Sequence, residues 1–258
     1  MTGFSAEWLA LREPADARAR SAALAADVST FWDGRTRIVD LGSGAGANVR
    51  YLAPHLGDRQ RWLLVDADAA LLAANQSQHA ILQLDLASAL DRLPLEEGCL
   101  VTASALLDLV SEDWLRKLAA RCREVHAVVL FALTYDGRVE MFPADADDAW
   151  IHEQVNQHQL GDKGFGAALG PQAAGRASTL FAQAGYAVRC QPSDWVLEPE
   201  EFSLQQQLME GWAQAATEQL PAEAARCASW LQRRLARVAQ GQSRIVVGHQ
   251  DLLAVPSP

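Results

Sequence analysis

The sequence predicts an α/β protein, a three-layer sandwich with helices on both faces of a mostly parallel sheet. Between residues 37 and 133, short apolar runs rich in β-branched residues alternate with helical patterns, and parallel strands require crossovers of about ten residues or more. The first run opens into a glycine-rich turn, IVDLGSGAGANVRYLAP at 38–54, the usual start of a nucleotide-binding α/β unit. No apolar run approaches the roughly 18 residues needed to span a bilayer. Half of the 258 residues are hydrophobic and 21% are charged, a globular balance.

The elements follow in order. Residues 1–33 read as a helical preface, with Trp8, Leu9, Leu24, Val28 and Phe31 at helical spacing around a break expected at Pro14. RIVDL (37–41) is the first strand and Ala45 to His55 a helix. WLLVD (62–66), AILQLDL (80–86), CLVTASAL (99–106) and HAVVLFAL (126–133) are the next four strands. Helices are expected from Ala69 to Gln76 and from Ser111 to Arg123, with Ser111 as N-cap and Glu112 and Asp113 in the first turn. Residues 134–170 are polar, glycine-rich and long for a connection, so they read as a lid or substrate insertion. A helix from Pro171 to Ala184 and a strand at 186–191 follow. Residues 199–241 read as a helical insertion, and 243–255 as the last strand. One domain with two insertions accounts for the whole.

Acidic residues outnumber basic ones 32 to 22, a formal charge of -10, which opposes a nucleic-acid partner because such affinity depends on Lys and Arg neutralising phosphates. Cys99, Cys122, Cys190 and Cys227 lie at least 23 residues apart with no C-x-x-C pair, so isolated thiols and no metal site are expected. The start of the chain lacks a basic segment followed by an apolar core, so the expectation is a cytoplasmic protein without a membrane partner.

The glycine turn satisfies two fingerprints. Gly42, Gly44 and Ala47 fit G-x-G-x-x-G/A of dinucleotide sites, while Asp40 with Gly42, Gly44 and Gly46 fits D-x-G-x-G-x-G. A carboxylate at Asp40 would repel a pyrophosphate but matches the ammonium and sulfonium of S-adenosylmethionine. Asp66 ends the second strand, where an acid accepts ribose hydroxyls in either nucleotide class. Asp68 reads as a helix N-cap, and Asp85 ends the third strand, suited either to an adenine amino group or to capping a turn.

Asp40-Leu41-Gly42-Ser43-Gly44-Ala45-Gly46, then Asp66, Asp85 and the Ser104-Ala105-Leu106-Leu107 region, resemble in order and spacing the motifs of the class I S-adenosylmethionine-dependent methyltransferases. The resemblance covers roughly residues 37–133 and, more weakly, the final strands. It implies a Rossmann-like sheet of seven strands in the order 3-2-1-4-5-7-6, the last antiparallel. It also implies cofactor contacts from Asp40, Gly42, Ser43, Gly44, Gly46, Asp66, Ala67, Asp85, Leu86 and Ser104. The acceptor expected is a small molecule, with oxygen slightly favoured. The Asn/Asp-Pro-Pro-Tyr/Phe segment that holds a planar amino group in similar enzymes is missing after strand four.

His158 is the candidate general base and Asp108 a second catalytic candidate, while Tyr135, Asn156, Asp162, Lys163 and Phe165 are candidates for the substrate pocket. Asp136 leaves strand five beside Tyr135 and could line the same pocket, His152 is a weaker rival to His158, Trp195 reads as core, and Arg226, Arg233, Arg234 and Arg237 as a solvated helix face. Two other readings stay open: a nicotinamide-dependent oxidoreductase and a non-catalytic protein that binds an adenosyl ligand.

Overall fold

The computed structural model describes residues 5–75 and 79–257. Its sheet follows the order β3-β2-β1-β4-β5-β8-β6, with a short β7 paired to β8. The strands are β1 (Arg37–Leu41), β2 (Arg61–Asp66), β3 (Ala80–Gln83), β4 (Leu100–Ser104), β5 (Val128–Phe142), β6 (Tyr186–Pro192), β7 (Trp195–Leu197) and β8 (Arg244–Pro256). The first five are mutually parallel, and β8 runs antiparallel to β5, β6 and β7. With β7 counted as an extra edge piece, this is the expected strand order, and the layers are those of a Rossmann-like α/β sandwich.

Both faces of the sheet are buried, and the residues alternate between them with period two. Val39, Leu63, Val65, Val101, Val129 and Phe131 face one core with α6 (Glu112–Glu124) and α8 (Ala173–Gln183). Ile38, Leu64, Leu100, Val128 and Leu130 face the other, with α2 (Ala22–Phe31) and α3 (Ala47–Leu52). Asp40 and Thr102 fall on this second face by the same alternation, so two polar side chains enter an apolar layer at the carboxyl ends of β1 and β4. α6 forms as its sequence dictates: the Ser111 hydroxyl accepts from the Trp114 N–H at 3.3 Å, acids occupy the first turn and arginines the last.

Several expectations need correction. α1 (Ala6–Ala19) passes straight through Pro14. The carbonyl that Pro14 leaves without a donor belongs to Ala10, which is exposed, so the missing bond is not a buried loss. The chain breaks instead at Arg20, which is extended (φ -61°, ψ 145°) ahead of the Ser21 N-cap of α2. β3 stops at Gln83, and Asp85 caps the short α5 (Leu86–Ala89). α4 (Ala69–Ala74) ends before Gln76, which lies outside the described residues, as do residues 1–4 of the helical preface.

The largest difference is at 134–170. The chain does not leave the sheet at 134: β5 continues to Phe142, paired with β8 from Thr134 opposite Gln250 to Phe142 opposite Arg244. Register shifts on either side of Thr134 and Tyr135 bend this ribbon out of the sheet. α7 (Asp148–Gln159) follows, and packs with α9 (Phe202–Gln219) and α10 (Ala224–Ala239) over the ribbon.

Of the arginines of α10, Arg226, Arg233 and Arg237 keep partial exposure to solvent while pairing with protein groups, and Arg234 departs from the expected solvated face. Arg226 and Arg233 pair with Asp145 and Asp147, and Arg237 donates to the Pro143 carbonyl. Arg234 is fully buried, bonded to Asp148, to which the Trp230 indole N–H also donates at 2.8 Å. Among the described residues, Cys99, Cys122 and Cys227 are buried and free and Cys190 is exposed and free. No group of His, Cys, Asp or Glu there is arranged to hold a metal, and no helix is long and apolar enough to cross a membrane.

Candidate cofactor and acceptor site

The glycine turn connects β1 to α3. At Gly46 the backbone is left-handed (φ +83°) and a Cβ would stand 2.6 Å from the Asn75 side chain, so only glycine fits. At Gly44 (φ +50°), Leu9 of α1 lies at 3.4 Å from where a Cβ would be, so the N-terminal helix roofs the turn. Gly42 has Leu106 as its close neighbour.

The amides of this turn are already engaged. The Ser43 N–H donates to the Val65 carbonyl at 3.0 Å, Gly44 N–H to Asp66 Oδ2 at 2.8 Å, and Gly46 N–H to the Ser43 carbonyl at 2.9 Å. Asp66 also accepts from the Asp68 N–H at 2.9 Å, so it holds the first two strand ends in register. A carboxylate has about four acceptor sites, which leaves Asp66 capacity for ribose hydroxyls. Asp68 caps α4 through the Ala70 and Leu71 amides, as its position implied.

Asp40 is completely buried. Asn48 Nδ2 donates to its Oδ1 at 2.6 Å, while Oδ2 has no partner. Burial is the main cause that pushes its carboxyl from 3.8 up to about 7, against the Asn48 bond and the Arg20 charge. Asn48 Nδ2 also reaches Thr102 Oγ1 at 3.1 Å, which fixes the amide so that its Oδ1 accepts from Arg20 Nη1 at 2.6 Å. Arg20 is buried, its guanidinium is stacked 4.0 Å over the Tyr51 ring, and its Nε has no partner.

A cavity of about 260 Å³ opens beside this relay, walled by Glu13, Asp16, Ala17, Arg20, Ala47, Asn48, Arg50, Tyr51 and Ser104. Its charged groups are largely paired: Arg50 binds Glu13 through two bonds at 2.6 Å, and Asp16 binds Arg12. Of the sequence candidates, Ser104 lines it directly, and Asp40 acts on it through Asn48. Ser43 is buried with an unpartnered hydroxyl, and Ala67 is exposed beyond Asp66. Asp85 is exposed and accepts from the Ala87 N–H and the Ser88 hydroxyl, the capping geometry. Leu86 points into the core.

A second polar node lies one side chain beyond the cavity wall. Asp16 forms a double bond pair with Arg12 and accepts the Trp195 indole N–H at 2.9 Å. Arg12 sits 5.0 Å over the Trp195 ring, and that ring is 5.2 Å from His249. Tyr135 pairs across the ribbon with His249, ring to ring at 6.1 Å, and its hydroxyl donates to Asn156 Oδ1 at 2.8 Å beside His152 Nε2 at 3.1 Å. Asp108, in a 3₁₀ turn after β4, is buried with Oδ1 unpartnered; burial pushes its carboxyl up to about 6.

The structure thus brings Asn156 and His152 to the Tyr135 hydroxyl, and Asp108 to the Tyr135 backbone N–H. His158 lies on another side of α7, with Nε2 3.0 Å from Glu218 and Nδ1 3.3 Å from Lys163. Asp162 accepts the Gly164 and Gly166 amides and so shapes its own loop, and Phe165 packs edge-on against Trp114. These four form the loop's own support and its contact with α6. Asp136 pairs with Arg138, which also binds Asp194. Sequence reasoning missed Arg12, Asp16, Arg20, Asn48 and His249. The sign of His249 is its place in SRIVVGHQDLL, where Ile245, Val247 and Leu253 are inward and His249 and Asp251 break an apolar series.

No protein-family model and no curated protein sequence matches the chain. Among solved structures it is similar to a cyclopropane-fatty-acyl-phospholipid synthase-like protein from Lactobacillus casei (12% identity, 97% of this chain and 94% of that chain, TM-score 0.54). It is likewise similar to a cyclopropane synthase from Mycobacterium tuberculosis (12% identity, 97% and 94%, TM-score 0.51). Strand order, the antiparallel β8 and these superpositions together identify the architecture as the class I methyltransferase fold.

Proposed function

We propose that the protein is an S-adenosylmethionine-dependent methyltransferase acting on a small molecule. The observation that carries this reading is the cavity beside Ser104 at the end of the glycine turn, walled in part by Arg20 and Asn48, where the buried Arg20 Nε has no partner. An unpartnered guanidinium N–H suits a ligand carboxylate, and the cofactor carries one at its methionine end. At about 260 Å³ the cavity is smaller than typical whole-ligand sites of about 300–1,000 Å³. It suits the amino-acid end, with the nucleoside lying outward along Asp66 and Ala67.

The residues fit this cofactor better than a dinucleotide. The amides of Ser43, Gly44 and Gly46 donate to protein acceptors, so they are not free to cradle a pyrophosphate, and the turn is flanked by the carboxylates of Asp66 and Asp40, the latter with Oδ2 unpartnered. When bound, the cofactor supplies an activated methyl group on a sulfonium. The chain's own residues then bind and orient. Asp66 would hold the ribose, Asp40 would hold Asn48 and through it Arg20, and α1 would exclude water from above. Asp108 and Tyr135 would line the acceptor side, with Asp108 able to take a proton near neutral pH.

Calorimetry with S-adenosylhomocysteine and with NADH tests the reading. Binding of the first and not the second is expected, and the reverse would defeat it. Turnover of methyl-labelled cofactor with a cell-extract metabolite pool separates an enzyme from a protein that only binds the ligand.

A further inference from the structure

We propose that Asp251 of β8 is a positioning residue for the cofactor site: it holds the α1–α2 junction, and with it the Arg20 guanidinium, where that guanidinium meets the carboxylate of a ligand's amino-acid end. The holding is independent of the methyltransferase reading; the ligand carboxylate rests on it. Arg20 and Ser21 alone separate α1 from α2. The Arg20 N–H donates back to the Asp16 carbonyl at 3.2 Å, and its extended backbone leads to Ser21, the N-cap of α2, whose hydroxyl accepts from the Leu24 N–H at 3.2 Å. The N–H of such a cap is satisfied locally when the third helical residue is Glu or Gln. Here that residue is Leu24, which has no acceptor to offer. Asp251 takes its place from the sheet: Oδ2 accepts the Ser21 N–H at 2.8 Å, and Gln191, opposite Asp251 in the pairing of β6 with β8, accepts from the Ser21 hydroxyl at 2.5 Å.

The clamp serves the cavity as well as the packing. Asp251 is 2% exposed, and a buried carboxylate is unfavourable unless it is hydrogen-bonded and faces a positive charge. Its Oδ1 accepts the Leu133 N–H at 2.8 Å, at a left-handed residue (φ +54°) of the β5 bulge. A neutral acceptor such as asparagine could meet that bond alone; the charge of Asp251 falls on Arg20. Burial pulls the Arg20 guanidinium below its ordinary range, and of the charges that oppose this the largest is that of Asp251, ahead of Tyr51, Asp40 and Asp16. At its far end the guanidinium is held by Asn48 Oδ1 at 2.6 Å and by the Tyr51 ring at 4.0 Å, while Nε, with no partner, belongs to a side chain that walls the cavity. Asn48 and Tyr51 both stand on α3, so α3 fixes the tip of the Arg20 side chain and Asp251 fixes its root. Both anchors are needed, because a binding group works only when held within about 0.5 Å of its productive place. Asparagine at 251 keeps the shape, removes the charge, and turns an amide NH2 toward one of the two backbone N–H groups.

The test compares the full chain with Asp251→Asn. Without ligand, arginine Nε–H resonances are followed by NMR in protein with nitrogen-labelled arginine. Arg20 is assigned by its loss in Arg20→Lys, and Arg234, fully buried on α10 and bonded to Asp148, is the internal control. Solvent exchange at the Arg20 Nε–H should quicken by about tenfold in the variant with Arg234 unchanged. No change at Arg20, or equal quickening at both arginines, overturns the proposal. With ligand, calorimetry uses S-adenosylhomocysteine and methylthioadenosine, the same nucleoside thioether without the amino-acid end. Asp251→Asn should weaken the first about tenfold and leave the second within about twofold; equal loss of both, or loss of neither, overturns it. The unaltered chain gives a third reading that needs no variant to fold. Exchange of the Ser21 N–H should slow when S-adenosylhomocysteine binds and not when methylthioadenosine does, because coupling between two sites is reciprocal. Equal slowing by both, or none by bound S-adenosylhomocysteine, overturns it. If the unaltered chain binds no S-adenosylhomocysteine the methyltransferase reading falls, and the arginine exchange still decides whether Asp251 holds Arg20.

Discussion

Replacing Asp40 by asparagine should stabilise the protein at neutral and alkaline pH while weakening its cofactor site. Asp40 is fully buried, and its carboxyl titrates at about 7 when folded against 3.8 when unfolded. The folded state therefore binds the proton more tightly. Between those two values stability falls as pH rises, and above about 7 the whole penalty is present. The difference is about 3 units, and at about 1.36 kcal/mol per unit the penalty is about 4 kcal/mol. Near pH 4 the carboxyl is mostly protonated and, like the amide, places a donor where Oδ2 now has no partner, so parent and variant should be close. At pH 8 the asparagine variant should be more stable by about 2–4 kcal/mol, with the lower end allowing for relaxation around the charge. Urea denaturation at closely spaced pH values measures this directly. A stability difference that does not change between pH 4 and 8 would refute the account of Asp40. The same variant should bind S-adenosylhomocysteine about tenfold more weakly or worse, about 1.4 kcal/mol, because the Asn48 and Arg20 geometry depends on the carboxylate.

Other consequences can be checked alongside. His249 has the opposite sign: burial lowers its folded value to about 4 from 6.5, so the unfolded chain takes up the proton first and stability is lost as pH falls from about 6.5 to 4. His249→Phe should flatten that acid limb by up to about 3 kcal/mol in the same urea series. Gly46→Ala forces an alanine to φ +83° with its Cβ 2.6 Å from Asn75, and should lower stability by about 1–3 kcal/mol and abolish cofactor binding in calorimetry. Asp148→Ala leaves Arg234 charged and fully buried, and should cost about 3–5 kcal/mol in chemical denaturation. Asp66→Ala should weaken cofactor binding by at least about tenfold and loosen the Gly44 amide, which hydrogen exchange at that residue reads.

The strands themselves were legible because they rest on local signals, while their order came with the resemblance to a known family. β1, β2 and β4 are mostly apolar and largely buried, interrupted only near their carboxyl ends, and the glycines and strand-end acids stand next to them in the chain. The extension of β5 was hidden by its bulges. Val139, Glu140 and Met141 do alternate, but Asp136-Gly137 reads as a turn and the register shift at Tyr135 to Val139 interrupts the period. The site residues that were missed share a different cause. Arg20, Asn48 and His249 come from a helix break, a helix and the last strand, and only the folded chain brings Arg20 to Asn48 or His249 to Tyr135. His158 carried the right chemistry in a long polar segment, yet residue spacing on α7 turns it toward Glu218 while His152 and Asn156, four residues apart, face Tyr135.

β8 occupies the slot between β5 and β6, and it follows both in the chain. Its Asp251 accepts the Leu133 N–H at the bulge of β5 and the Ser21 N–H at the junction of α1 and α2, both at 2.8 Å. Until residues 244–256 emerge, the edges of β5 and β6 have no partner, and the N-terminal helices lack one of the bonds that seat them on the sheet. The helices α1 and α2 therefore complete their seat only when a strand whose Asp251 lies 230 residues beyond Ser21 is in place, a long-range closure of the kind that slows folding. A nascent chain stalled before β8 should expose those strand edges and depend on chaperones.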